Sequence, residues 1–255
     1  MSKQILVITY AVPEELEVGK VLEVVNEQKR NWIENRIDWF KRLKVKMNRR
    51  YYDKEVVLVE TGIGKVNSYK ELKMIVDLAA DYLGRDTEIT VLNLGTAASM
   101  NEGIGSVVEC NRFIDRDLIR IGYGDNGDYT IYTVDGTPRF LSEMDDRPDN
   151  DLGGKFSFGY SCNSGDTFVT NPEEAHQMRD GWTAVCDMEG FSQAKLISES
   201  LYKFSEPIKF HCIKYITDKI GEDNTVEGWK EELPAACISL TKTAMEYIRD
   251  FYNSK

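Results

Sequence analysis

Short runs of aliphatic residues with almost no polar residue among them recur along this chain, and they narrow the possible folds more than any other feature. Ile5 to Ile8 reads Ile-Leu-Val-Ile, Glu55 to Glu60 reads Glu-Val-Val-Leu-Val-Glu, and Ile89 to Leu92 is a third run; Ile208 to Ile216, with Lys209, His211 and Lys214 among its apolar residues, reads as another buried strand. A strand with one wet face alternates apolar with polar; a strand apolar at successive positions is covered on both faces, as in a parallel or mixed sheet flanked by helices. Between the second and third runs, Val66, Tyr69, Leu72, Ile75, Leu78 or Ala79, and Leu83 recur at helical spacing. The order strand, Gly turn, helix, strand is a βαβ unit.

Phe156 to Ser161 and Trp182 to Cys186 read as further strands, a helical stretch starts at Glu189, and Leu233, Cys237, Leu240, Ala244, Ile248 and Phe251 predict an amphipathic C-terminal helix. A chain of 255 residues is long for one core, yet α/β sheets of this size form one domain, so a single domain over residues 1–255 is expected. Two segments fit the pattern less well. Asn101 to Gly154, rich in Gly, Asp, Asn and Pro, predicts short strands joined by long surface loops. Lys29 to Arg50, dense in Arg, Lys and Trp, reads as a solvated helix with a narrow packed stripe, or alternatively as a basic partner site.

Composition removes several function classes. A formal charge of -11 argues against a surface that tracks nucleic-acid phosphates, because such binding depends on clustered Lys and Arg. Five cysteines with no CxxC pair do not make a disulfide framework and read as buried thiols of a reducing compartment. The two histidines, His176 and His211, lack metal-ligand spacing, so neither metal nor cofactor is expected. The first apolar run is too short for a signal peptide, and none approaches the ~20 residues that span a bilayer. A cytoplasmic chain without a membrane partner is the expectation.

In open α/β sheets ligands collect beyond the carboxyl ends of the strands. The segments placed there are Ala11-Val12-Pro13-Glu14-Glu15, Thr61-Gly62-Ile63-Gly64-Lys65-Val66, Asn93-Leu94-Gly95-Thr96-Ala97-Ala98, Asn163-Ser164-Gly165-Asp166-Thr167-Phe168, Cys186-Asp187-Met188-Glu189-Gly190 and Ile216-Thr217-Asp218. Gly-Ile-Gly-Lys is not a phosphate loop, because Val66 stands where a magnesium-binding hydroxyl is required. A single carboxylate after a strand is ordinarily a helix cap or a solvated loop residue. Only the ordered set of six segments points to chemistry.

Taken together, from residue 5 to about 218, these segments resemble the nucleoside phosphorylase/nucleosidase superfamily, and most closely its methylthioadenosine/S-adenosylhomocysteine nucleosidase branch. The resemblance implies a three-layer α/β/α fold with a central twisted mixed sheet, usually a homodimer, acting on a small purine nucleoside. Asp218 then matches the general acid for the leaving purine and Glu15 the carboxylate that orients the attacking water, with Thr96 beside it and Lys214 where the family usually has Arg. Glu189 and Met188 match the ribose site. Phe168, the backbone near Val169, and Thr217 match the base site. Ile63 and Trp229, with Leu118 and Ile121 of a neighbouring subunit, match the 5′ pocket. Asp187 replaces the family's usual Glu.

The chemistry agrees with this set. Breaking an N-glycosidic bond through a cationic sugar needs an acid on the departing base and a carboxylate near the water. An aspartic acid that donates at neutral pH must be buried to raise its pKa, and a carboxylate near the developing cation stabilises the transition state. Phosphate as nucleophile needs positive charge, where this chain offers Asn93, Glu14 and Glu15. The reading is a purine nucleosidase that uses water. The alternatives are a purine nucleoside phosphorylase, and a nucleoside-binding protein of the same fold without catalysis.

Overall fold

The computed structural model describes residues 3–29, 50–53, 56–117, 130–133, 138–140, 157–170, 183–221 and 225–253. The first aliphatic run forms β1 (Lys3–Tyr10), which lies between β3 (Val56–Glu60) and β4 (Thr87–Ser99) and runs parallel to both. β2 (Arg50–Asp53) pairs antiparallel on the outer edge of β3. Successive side chains of a strand point to opposite faces, and here both faces are dry. Ile5 and Val7 of β1, Val57 and Val59 of β3, and Ile89 and Val91 of β4 enter one core cluster. Leu6, Ile8, Val56, Leu58, Leu92 and Leu94 enter the other.

Helices cover each face. Leu72, Ile75, Val76 and Ala79 of α2 (Lys65–Leu83) and Phe191, Ala194, Leu196 and Ile197 of α3 (Gly190–Glu199) fill the first cluster. Val21, Val24 and Val25 of α1 (Val18–Lys29), with Ala236, Leu240, Ala244 and Ile248 of α4 (Thr225–Asn253), fill the second. The expected three-layer α/β/α arrangement with a mixed sheet is the arrangement found.

Beyond β4 the sheet curls. β5 (Val107–Asp115) runs antiparallel to β10 (Lys209–Lys219) and parallel to β8 (Ser157–Ser164); β8 is parallel to β9 (Thr183–Asp187), and β9 meets the end of β4 at Ala98 and Ser99. Since β10 also runs parallel to β4, strands 4, 9, 8, 5 and 10 close into a ring. β6 (Thr130–Thr133) and β7 (Pro138–Phe140) continue from β5 as an antiparallel edge.

Ring formation corrects two boundaries. Asn93 to Ala98, expected as a loop after the third strand, is the second half of β4, because β10 keeps pairing with it as far as Ser99. Ile216-Thr217-Asp218 likewise lies within β10, at a register shift between Ile216 and Asp218; such a bulge re-aims side chains at a sheet end. The C-terminal helix also begins earlier than its apolar stripe, at Thr225, and continues through Pro234.

Arg112 to Asp115 are the end of β5, with Arg112, Phe113 and Ile114 fully buried. Leu118 and Ile121 lie outside the described residues, as do residues 30–49 of the basic Trp-containing segment.

Gly190, where β9 turns into α3, faces the interior of the ring. A Cβ there would stand 2.7 Å from Cys162 Sγ and 3.1 Å from Asp187 Oδ2. Overpacking of this kind costs about 1–3 kcal/mol, so Gly190→Ala should lower stability by that amount in denaturant titrations. Adding Cys162→Ala should recover part of the loss. Full additivity of the two substitutions would show that the sulfur is not what the new methyl meets.

Candidate active site

A cleft opens where the ends of β1, β4, β8, β9 and β10 come together. Its lining includes Glu15, Ile63, Thr96, Phe168, Val169, Met188, Glu189, Thr217, Asp218 and Trp229. These ten sequence-predicted residues come from separate segments of the chain and meet in one place. Lys214, expected beside the water with Thr96, is not in the lining; it lies beneath it, fully buried.

Glu15 ends a short 3-10 turn, Pro13–Glu15, that follows β1. Its Oε2 accepts the N–H groups of Ala11 (2.9 Å) and Val12 (3.3 Å), and its Oε1 accepts the N–H (2.9 Å) and hydroxyl (3.0 Å) of Thr96. Four donors fix the carboxylate in place. The Thr96 hydroxyl in turn accepts the indole N–H of Trp229 at 3.0 Å, so its proton is directed to Glu15. Trp229 stands in the first turns of α4, edge-on to Phe168 with ring centroids 5.7 Å apart.

Asp218 has a different environment. Its Oδ1 accepts the Thr217 hydroxyl at 2.7 Å, while Oδ2 is buried and has no hydrogen-bond partner. Burial raises its pKa above the ordinary carboxylate value, with the Thr217 bond opposing. A carboxyl whose pKa is raised by burial at the wall of a cleft is suited to proton donation.

Glu189 occupies the N-cap of α3, but its side chain makes no cap hydrogen bond. Asp187 and Ser164 cap the helix in its place, since Asp187 Oδ2 accepts Gly190 N–H at 2.9 Å and Ser164 Oγ accepts Phe191 N–H at 2.7 Å. Glu189 is thereby released toward the cleft, where its Oε1 accepts the N–H of Gly64 at 2.9 Å. Burial first, then the nearby Asp187 charge, push its pKa up to about 8.

Asp187 and Lys214 form a buried ion pair at 2.7 Å. Burial disfavours both charges, but pairing prevails, holding the Asp187 carboxyl below its usual range and the Lys214 ammonium above its own. Lys214 Nζ and Glu15 Oε1 approach the same side of Gly95, 3.0 and 3.5 Å from where a Cβ would stand. A side chain at that position would press on the Lys214 ammonium.

Two contributors were not recognised from sequence. Gly64, with φ of +96°, gives its amide to Glu189; the signal was two glycines flanking Ile63 directly before a helix. Asp187, read as a departure from a family pattern, is the helix cap that frees its neighbour.

Comparison with known proteins matches residues 6–249 to the phosphorylase superfamily. The chain belongs to that superfamily. Within it, the chain is 26% identical over 207 residues to the 5′-methylthioadenosine/S-adenosylhomocysteine nucleosidase of Lysinibacillus sphaericus, covering 78% of this chain and 83% of the relative. Among solved structures, the superfamily fold recurs in the nucleosidase of Neisseria meningitidis in complex with methylthio-immucillin-A, with a TM-score of 0.62, 18% identity, and 97% and 99% of the two chains covered. It recurs also in a Borrelia burgdorferi B31 protein described as a nucleosidase and bound to adenine, with a TM-score of 0.59, 19% identity and 96% and 99% coverage.

Potential metal ligands in this superfamily member gather at one place among the described residues: Cys110, Cys162 and Cys212, from three strands of the ring, have sulfurs within 4.8 Å of one another. All three are buried and none lines the cleft. Burial pushes the Cys110 and Cys162 thiols well up, and Cys212 Sγ lies 3.3 Å from Asn93 Oδ1. Of the histidines, His176 is outside the described residues and His211 pairs with Glu109 at 2.8 Å. No helix among the described residues is long and apolar enough to cross a membrane.

The raised pKa of Glu189 has a measurable consequence. A group whose pKa is higher folded than unfolded contributes stability that is complete below its unfolded value, 4.5, and is lost as pH rises toward about 8. The Tm of the empty protein should therefore fall across that window, and Glu189→Gln should flatten the fall. Equal slopes in the two proteins, measured by thermal unfolding from pH 5 to 8.5, would contradict this assignment of the proton.

Proposed function

We propose that this chain hydrolyses the N-glycosidic bond of 5′-methylthioadenosine/S-adenosylhomocysteine-like nucleosides, releasing free purine and sugar. The observation that carries the reading is that three carboxyl groups meet in one cleft with three different environments: Glu15 with four donors, Asp218 with a bare buried oxygen, and Glu189 with one amide. A general acid and a water-orienting carboxylate need different environments, since one must hold a proton and the other must accept one. A binding protein without catalysis has no need of that division.

In this reading the purine lies against Phe168, with its edge toward Val169 and Thr217, and Asp218 donates its proton to the imidazole-ring nitrogen. The C1′–N9 bond then breaks with its electron pair going to the base. Water held by Glu15 and Thr96 attacks C1′ and loses its proton to Glu15. Glu189 accepts the two ribose hydroxyls, with Met188 against the sugar. Its proton, favoured in the empty cleft, leaves as the diol donates and the sugar becomes cationic, so the carboxylate is worth most in the transition state. Lys214 supports this from below by holding Asp187.

Water is favoured over phosphate because Glu15 occupies the end of the cleft where a dianion would have to sit. The cation beside it, Lys214, is already paired with Asp187. Ile63 and Trp229 supply an apolar 5′ pocket. The exposed surface of Ile63 and Phe168 at its mouth supports a homodimer in which Leu118 and Ile121 of a second copy complete it. The protein acts in this reading as a cytoplasmic enzyme without cofactor.

A purine nucleoside panel assayed with and without phosphate tests the proposal. Base should be released from 5′-alkylthio nucleosides at a rate indifferent to phosphate, whereas a rate that climbs with phosphate would make the chain a phosphorylase. Asp218→Asn should lower kcat by about 10²–10⁴-fold, the usual worth of general acid catalysis, with ligand binding retained. Undiminished turnover would remove Asp218 from the acid's role.

A further inference from the structure

Lys65, the last residue of the Gly-Ile-Gly-Lys segment, is not used by the chemistry above, yet its ammonium pairs with two carboxylates near the cleft. Its Nζ stands 2.6 Å from Asp115 Oδ1 and 2.8 Å from Asp117 Oδ2, at the end of β5, with the Lys65 side chain only 15% exposed. Its backbone N–H donates to Asp166 Oδ1 at 2.9 Å, and the Asp166 N–H donates to Asp117 Oδ2 at 2.9 Å. Lys65, Asp166 and Asp117 thus form a closed cycle of contacts. Arg116, 2% exposed, donates through Nη2 to the carbonyl of Thr167, and its guanidinium lies under Gly165, where a Cβ would come 2.7 Å from Cζ.

Each arm of this cycle ends beside a substrate-binding group. One residue before Lys65, the Gly64 amide holds Glu189. Two residues after Asp166, Phe168 stands in the cleft wall. A loop of polar residues has many accessible conformations, and only fixed contacts remove them. The described contacts that tie the loop carrying Gly64 to the loop carrying Phe168 pass through Lys65 and Asp166.

We propose that Lys65, Asp117 and Asp166, braced by Arg116, form a positioning clamp that sets the spacing between the ribose carboxylate Glu189 and the base-stacking ring Phe168, and so determines how tightly the nucleoside is held. The inference rests on the proposed roles of Glu189 and Phe168. None of the clamp residues lines the cleft, so they act through the loops they hold. Asp166 is exposed, but Lys65 and Asp117 are partly buried, and charges held by several partners keep their geometry better than a single exposed pair does.

The test compares Lys65→Met, Lys65→Arg and Asp117→Asn with the unaltered protein, using 5′-methylthioadenosine as substrate and amide hydrogen exchange of residues 164–169 as an independent readout. Lys65→Met and Asp117→Asn should raise KM by about tenfold and change kcat by no more than about threefold, the pattern of lost binding without lost chemistry. Lys65→Arg, which keeps the cation, should restore most of the affinity. Exchange in residues 164–169 should quicken in Lys65→Met while the rest of the chain stays as protected as before.

An unchanged KM, a loss confined to kcat, or an arginine variant as impaired as methionine would overturn the clamp. If the unaltered protein releases no adenine, the proposed activity fails, but the exchange measurement still decides the clamp: slower or unaltered exchange rejects it, and faster exchange confined to the loop upholds its mechanical part.

Discussion

The buried Lys214–Asp187 pair is the constraint on which the site depends. Two charges moved out of water lose several kcal/mol of hydration each, and their attraction repays this only when the remaining lone pairs are satisfied. Asp187 meets that condition: besides Lys214 it accepts the Ser164 hydroxyl and the Gly190 amide. One carboxylate thereby joins β10, β8 and the start of α3. Because it caps α3, the adjacent Glu189 need not, and a residue that local sequence would make a helix cap becomes a ligand for something in the cleft. Resemblance to relatives marked Asp187 and Lys214 as two separate departures from the family pattern; in space they are the two halves of one contact.

Glu15, Asp218 and Glu189 show how backbone geometry divides labour among like groups. Glu15 sits where the chain turns after β1, so that Ala11 and Val12 present their amides to it, and β4 adds the amide and hydroxyl of Thr96. Asp218 lies on a strand at a bulge, with its neighbours' amides committed to the sheet, and receives a single hydroxyl. The same functional group thus meets four donors in one place and one in the other. At Asp218, burial raises the carboxyl's pKa and the single hydroxyl from Thr217 opposes it only in part.

Much of this was legible in the chain. Doubly apolar strands at Ile5–Ile8 and 56–60 announced a sheet covered on both faces, and the stripe from Tyr69 to Leu83 announced one covering helix, because burial on a period of 2 or 3.6 writes itself directly into residue type. The cleft residues were legible as an ordered set, not singly. What could not be read was anything set by pairing across distance. Asn93 and Gly95 resemble a loop because Asn, Gly and Thr break strand patterns, yet β10 lies alongside and supplies hydrogen bonds that local sequence does not encode. The start of α4 at Thr225 was hidden for the opposite reason: Pro234 normally marks a helix boundary, and the helix continues through it.

Asn93, on the ring strand β4, starts a buried polar chain that leaves the ring for β1 and the helices. Its Nδ2 donates to Thr9 Oγ1 at 3.1 Å, Thr9 donates to Gln193 Oε1 at 3.0 Å, and Gln193 Nε2 donates to Ser68 Oγ at 2.7 Å. Every member is buried, and such a network is tolerable only when its donors and acceptors are matched throughout. The chain of bonds crosses from the sheet to α3 and on to α2, one helical turn beyond the contact between Gly64 and Glu189. Two helix N-termini are therefore pinned to each other at two successive levels, one buried in the core and one at the floor of the cleft. Rotating either helix would break both levels together, so the position of Glu189 is fixed by the same bonds that hold the core.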